Sequence, residues 1–181
     1  MSRPAIRQDR GADVRRNRIA WEAASEKHIR EYQDLLLQAR GGSTRFEREL
    51  DLLRPLLLSS PAVLHLQSGH GLDDIGLVAA GAQSVIGVDF SEVAAIAAQR
   101  RAEELAVACR YMVAEVPRVP LPAECADLVY TGKGALIWMR RLIAWAKRGA
   151  RVLRPSGHPF TYDAPPTATL CTGAEDLVPP P

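Results

Sequence analysis

Asp89 stands 20 residues after Gly69, and each closes an apolar run. The first run, Val63-Leu64-His65-Leu66, passes into Gln67-Ser68-Gly69-His70-Gly71; the second, Val85-Ile86-Gly87-Val88, ends on Asp89-Phe90-Ser91. A glycine-rich turn after one strand and an acid at the tip of the next form the layout of a nucleotide- or nucleoside-binding β-α-β unit. Glycines let the backbone approach a ligand closely. A carboxylate at the strand tip can accept both hydroxyls of a ribose.

The rest of the spacing selects among ligands. A dinucleotide fold asks for a third glycine where this chain has Asp74. Asp73 and Asp74 together would also repel a pyrophosphate from the helix N-terminus that normally greets it. They would not repel a sulfonium or an ammonium group.

The elements around these residues read as alternating strands and helices. Strands are expected at Val63–Gln67, Gln83–Asp89, Arg110–Ala114, Ala126–Thr131 and His158–Tyr162. Helices are expected at Leu72–Ala80, from the Ser91 cap to about Ala106, and around Arg140–Leu153, before an Arg154–Gly157 turn. This order argues for a parallel sheet covered on both faces, an α/β three-layer Rossmann-like fold. Ahead of it, Asn17–Arg40 has helical periodicity, with Ile19, Trp21, Ala24, Ile29, Tyr32, Leu35 and Leu36 as its apolar face. Gly41-Gly42 ends that helix. A Thr44/Glu47 capping box opens a second, which Pro55 ends or kinks. The organisation is a basic arm at 1–16, N-terminal helices at 17–60, a core at 61–163 and a Pro-rich disordered tail at 164–181.

Composition narrows the partners. With 23 basic and 21 acidic residues the net charge is +2, which gives no pull toward nucleic acid. Arg3, Arg7, Arg10, Arg15, Arg16 and Arg18 crowd the start, where a solvated terminus is the plainer reading. Cys109, Cys125 and Cys171 lack ligand spacing and read as reduced thiols of a cytoplasmic protein without a metal site. No apolar run reaches the ~18 residues of a membrane span.

Six segments in order resemble the class I S-adenosylmethionine-dependent methyltransferases of the small-molecule type. They are Val63–Gly71, Val88–Ser91, Tyr111–Glu115, Val119–Pro122, Ala126–Val129 and Arg151–Gly157. The resemblance implies S-adenosyl-L-methionine as cofactor, a small-molecule acceptor, and N-terminal helices that cover the cofactor. Its cofactor-binding residues would be Gln67, Ser68, Gly69, His70, Gly71, Asp89, Phe90, Glu115, Val116 and Tyr130. Of these, Asp89 would take the ribose and Glu115 the adenine edge. Thr131 and Lys133 are candidates for the acceptor side, and Trp21 and Tyr32 for the cover, although packing alone also explains both aromatics. No catalytic base is named; His70 is read as a spacer. The missing D/N-P-P-Y sequence after the fourth strand argues against a nucleic-acid base as acceptor.

Two departures set the alternative. The family carries an acid where this chain has His65 and a glycine where it has Gln67. It also has two antiparallel strands after the fifth, for which the 18 residues after Asp163 offer no run. The chain therefore reads as shortened at its C-terminus, with an exposed sheet edge suited to a homodimer. The competing reading is a catalytically inactive methyltransferase-like binding or dimerisation protein. A nicotinamide-dependent oxidoreductase is disfavoured by Asp74.

Overall fold

The computed structural model describes residues 10–41, 47–136, 139 and 141–163. Four helices come first: α1 (Arg10–Ser25), α2 (Lys27–Arg30), α3 (Tyr32–Gly41) and α4 (Glu47–Leu57). Then follow β1 (Ala62–Leu66), α5 (Leu72–Ala79), β2 (Ser84–Asp89), α6 (Glu92–Glu104), β3 (Cys109–Val113), a 3-10 turn (Val116–Arg118), β4 (Ala126–Gly132), α7 (Leu142–Val152) and β5 (Leu153–Tyr162). All strand pairs are parallel, in the order β3-β2-β1-β4-β5. The chain winds outward from β1 in both directions, so the β1–β4 boundary is the topological switch point, where the crevice beyond the strand ends collects ligands.

Alternation along β1 divides the core. Val63 faces a cluster with Leu53, Leu57, Leu77, Ala102 and Tyr130, under α4, α5 and α6. Leu64 and Leu66 face the opposite cluster, with Val116, Val119, Val129 and Val152, under α7 and the 3-10 turn. Burial on both sides explains why the strands read as nearly continuous apolar runs.

Several sequence expectations change. The helix expected over 17–40 is three pieces, broken at Glu26 and Glu31. Ile19 is 70% exposed and Ile29 59%, whereas Tyr32 and Leu36 are buried. A single apolar face over 17–40 is lost because each break rotates the next piece. Helix α1 begins at Arg10, inside the expected arm; residues 1–9, Gly42, Thr44 and the 164–181 tail lie outside the described residues. Pro55 sits within α4, which continues to Leu57.

The expected Arg154–Gly157 turn is part of β5. Ala126 pairs with Leu153 and Leu128 with His158, so Arg154–Gly157 bulges opposite Asp127. Asp127 anchors the bulge: one carboxylate oxygen accepts from Arg154 at 2.5 Å and the other from the Ala62 amide at 2.9 Å. Arg154 holds the Asp127 carboxyl below its ordinary value. Further along, the Tyr162 carbonyl accepts from the Lys133 amide at 2.8 Å. Tyr162, Phe160 and His158 thus turn their backbone groups toward β4, and Pro159 and Thr161 turn theirs away.

Two glycines show opposite needs. A Cβ at Gly87 would come within 2.6 Å of the Tyr111 ring and 2.7 Å of Ser68 Oγ. One at Gly149, inside α7, would meet Leu66 and Val129 at an ordinary 3.8 Å. Gly87→Ala is therefore expected to destabilise by about 1–3 kcal/mol through overpacking. Gly149→Ala should stabilise by about 0.5–1 kcal/mol through helix propensity. Urea denaturation of the two variants checks both signs.

Candidate active site

The residues Gln67–Gly71 reverse the chain between β1 and α5. Gln67, Gly69 and Gly71 take φ of +63°, +55° and +76°, conformations that side chains resist. At Gly71 a Cβ would overlap the Tyr111 hydroxyl and Ala98, so close approach adds to the demand for glycine. At Gly69 the place of a Cβ is open, leaving the backbone bare.

Asp89 ties the loop to β2. One carboxylate oxygen accepts from the Gly69 amide at 2.9 Å and the other from the Ser91 amide at 2.8 Å. Ser91 in turn caps α6, its Oγ accepting from the Ala94 amide at 3.1 Å. Burial pushes the Asp89 carboxyl above its ordinary value, against the pull of the Ser91 and Gly69 amides and of His65. Each oxygen keeps a further lone pair for a ligand.

A cavity of about 370 Å³ opens at this point. The loop and the end of β2 form its floor. Asn17, Ala20, Trp21 and Ala24 of α1 form one wall, and Gly132–Ala135, from the end of β4 onward, another. Among the expected cofactor residues, Gln67, Ser68, Gly69, His70, Asp89 and Phe90 line it. Gly71 supports the loop from behind. Glu115 and Val116 lie past β3, outside this lining; Val116 is packed in the core, and Glu115 sits 3.7 Å from Arg118.

Tyr130 lies outside this lining. Its ring is fully buried between His65, edge-on at 4.6 Å, and Phe160, stacked at 5.8 Å, and its hydroxyl donates to the Glu49 carboxylate. Side chains alternate along β4, which sends this one under α4 rather than to the strand tip. Thr131 is likewise buried, its hydroxyl on the carbonyls of Leu66 and Tyr130. Lys133 does line the cavity and pairs with Asp73 at 2.5 Å. Sequence reasoning missed Asn17, Ala20, Ala24, Leu72 and Ala135, one amide among apolar residues, whose only signal was their place on α1, at the start of α5 and after β4.

The two motif departures prove to be supported. His65 Nδ1 lies 2.5 Å from the Asp74 carboxylate, both buried. The residue that replaces the third glycine thus meets the residue that replaces the acid, and only Asp73 of the two neighbouring carboxylates faces the cavity. Gln67 donates from Nε2 to the Ala135 carbonyl at 2.9 Å and accepts from Trp145 Nε1 at 3.1 Å. Its amide joins the loop, the turn after β4 and α7 into one wall.

The sequence profile of the family described as "Methyltransferase domain" matches residues 63–157, more than half of the chain. The chain belongs to that family. Among solved structures it is similar to the PH0226 protein from Pyrococcus horikoshii OT3, at 25% identity and a TM-score of 0.56 over 67% of this chain and 59% of that one. A candidate S-adenosyl-L-methionine-dependent methyltransferase from Methanococcus maripaludis aligns over 78% of this chain and 63% of its own, at 14% identity and a TM-score of 0.61. An S-adenosylmethionine-dependent methyltransferase from Aquifex aeolicus aligns over 65% and 72%, at 15% identity and a TM-score of 0.53. The chain thus spans about 60% of the length of the first two. None of the proteins of curated function matches it. The latter two likenesses establish the fold of this methyltransferase domain. No helix among the described residues is long and apolar enough to cross a membrane.

Removing one member of the His65–Asp74 pair strands the other in the core. Asp74→Ala is expected to cost about 3 kcal/mol, whereas replacing both with leucine should recover most of that. Urea midpoints of the single and double variants measure the difference.

Proposed function

We propose that this methyltransferase domain binds S-adenosyl-L-methionine in the 370 Å³ cavity and transfers its methyl group to a small-molecule acceptor. The observation that carries the reading is Asp89: a buried carboxylate on the cavity floor, held by the Gly69 and Ser91 amides with acceptor capacity left over. The residues present suit that cofactor. The bare backbone at Gly69 and the buried Ser68 Oγ, which has no hydrogen-bond partner among the described residues, offer polar contacts beside the floor. Asp89 would accept the ribose hydroxyls. The family role of Glu115 at the adenine edge is proposed with it, on the strength of its place just beyond β3.

When bound, the cofactor supplies a sulfonium whose methyl group is already activated for transfer. The chain's part is alignment and exclusion of water, which by themselves account for much of a methyl transfer rate. The α1 wall, with Trp21, roofs the site, and the Lys133–Asp73 pair bridges the β4 and α5 sides. A small acceptor is the substrate class proposed with this site, on the family resemblance.

A second reading, binding without turnover, draws on the same pair. Lys133 and Asp73, two ionisable side chains on the lining, are bonded to each other. Proton transfer to or from an acceptor would require that bond to open.

Isothermal titration with S-adenosylhomocysteine tests the proposal. Binding at micromolar strength is expected, with at least a roughly tenfold loss in Asp89→Ala, the scale of a charge-assisted hydrogen bond; absence of binding to the folded wild type overturns it. Binding without methyl transfer to any of a panel of small acceptors selects the second reading.

The same contact sets a pH dependence. Protonation removes an acceptor from Asp89, so affinity should fall as pH drops through its carboxyl pKa. Since burial raises that pKa above the ordinary 3.8, the loss should begin at higher pH than for an exposed aspartate. Titrations across the acid range, with Asp89→Asn as a variant lacking the transition, measure it.

A further inference from the structure

Arg101 on α6 is fully exposed to neither water nor a counter-charge. Its side chain is completely buried, and among the described residues its Nε and Nη2 have no hydrogen-bond partner. Nη1 donates to the His70 carbonyl at 2.5 Å. The Tyr32 ring of α3 lies 5.2 Å from the guanidinium carbon. An arginine withdrawn from water on such thin terms needs a reason, because a buried unpaired charge ordinarily destabilises a core.

The reason lies in what it joins. His70 belongs to the glycine loop and lines the cavity. Tyr32 belongs to the N-terminal helices, of which α1 provides the cavity wall. Tyr32 is held over α6 by its hydroxyl, which donates to Glu104 at 3.1 Å, and the Arg100 guanidinium lies 4.6 Å from the same ring. At the other end of α6, Glu22 of α1 accepts from the Val93 amide at 3.3 Å. The helices that wall the cavity therefore dock on α6 at both ends, and at one of them they cover the side chain that grips the loop. Tyr111 grips the next carbonyl, that of Gly71, at 3.3 Å.

We propose that Arg101 is a positioning residue that couples docking of the N-terminal helices to the setting of the glycine loop. With Tyr32 in place the guanidinium is dry, and both the cation–π contact and the bond to His70 are strong. With Tyr32 withdrawn, water competes for the guanidinium and the His70 carbonyl is released. By linkage, a ligand that favours the set loop must favour the docked helices to the same degree. The ligand half of this inference rests on the proposed cofactor site; the loop half does not.

Arg101→Met and Tyr32→Leu, with Tyr32→Phe as the conservative variant, test it by hydrogen exchange of the ligand-free full chain and by S-adenosylhomocysteine titration. Arg101→Met removes an unpaired buried charge, so its thermal stability should hold or rise. Nevertheless the amides of residues 67–72 should exchange roughly tenfold faster while strand 84–89 keeps its protection, and affinity should fall by a similar factor. Tyr32→Leu should do likewise, and Tyr32→Phe, which keeps the ring over the guanidinium but loses the Glu104 bond, should loosen the loop less than Tyr32→Leu. Unchanged loop exchange in Arg101→Met, or loop and strand loosening together with a fall in stability, overturns the proposal. If the wild type binds no S-adenosylhomocysteine yet the loop loosens selectively, the coupling stands and the cofactor reading falls.

Discussion

Three left-handed residues within five, Gln67, Gly69 and Gly71, impose the condition that the rest of the molecule meets. A turn this tight cannot hold itself: its internal backbone bonding includes that from the Gly71 amide to the Ser68 carbonyl at 3.2 Å. Neighbouring elements supply much of the rest. Val88 and Asp89 take the Ser68 and Gly69 amides, Tyr111 takes the Gly71 carbonyl, and Gln67 is tied to Ala135 and Trp145. The order of the sheet follows the same need, since β2 and β4 flank β1 and present their ends to its loop. Local strain of this kind persists where the surroundings over-determine it, and such places coincide with sites of function.

The two faces of the sheet carry different burdens. Under α7 the core is almost wholly apolar, built on Leu64, Leu66, Val88, Val129 and Val152. Under α4 to α6 the core admits Glu49 against Tyr130, His65 against Asp74, and Arg101 against Tyr32 and the His70 carbonyl. Buried polar groups hold neighbours at fixed angles as apolar contacts do not, at some cost in stability. Their concentration on the face that carries the N-terminal helices places directional contacts where the cavity wall is attached.

Those directional contacts also mark the limit of what the amino-acid order discloses. The strands, the Ser91 cap, the glycine loop and Asp89 were legible because each depends on neighbours in sequence: a period, a cap, a turn. The Asp74 that breaks the third-glycine rule was legible as a departure, but its partner was not, because His65 lies on a strand and Asp74 on a helix with a turn between them. The burial of the Tyr130 side chain under α4 was not legible because position along β4 does not by itself give the side. The segment 17–40 was read as one helix because apolar spacing runs on through Glu26 and Glu31, whereas the breaks depend on what each piece must cover. Arg101 gave no signal, since an arginine within the charged stretch Arg100-Arg101-Ala102-Glu103-Glu104 reads as solvent-facing until α3 is laid over it.

The proline in β5 has a bearing on the outer rim of the sheet. Pro159 presents to that rim a carbonyl and no amide hydrogen, and the Arg154–Gly157 bulge interrupts the strand on one side of it. A guest strand laid along the rim would find a donor at Thr161, none at Pro159, and a kinked track beyond. Continuous ladder growth is thereby frustrated at its second rung. Among the described residues β5 is the last strand of the sheet, and a ladder formed along it must be short, or must start beyond the proline.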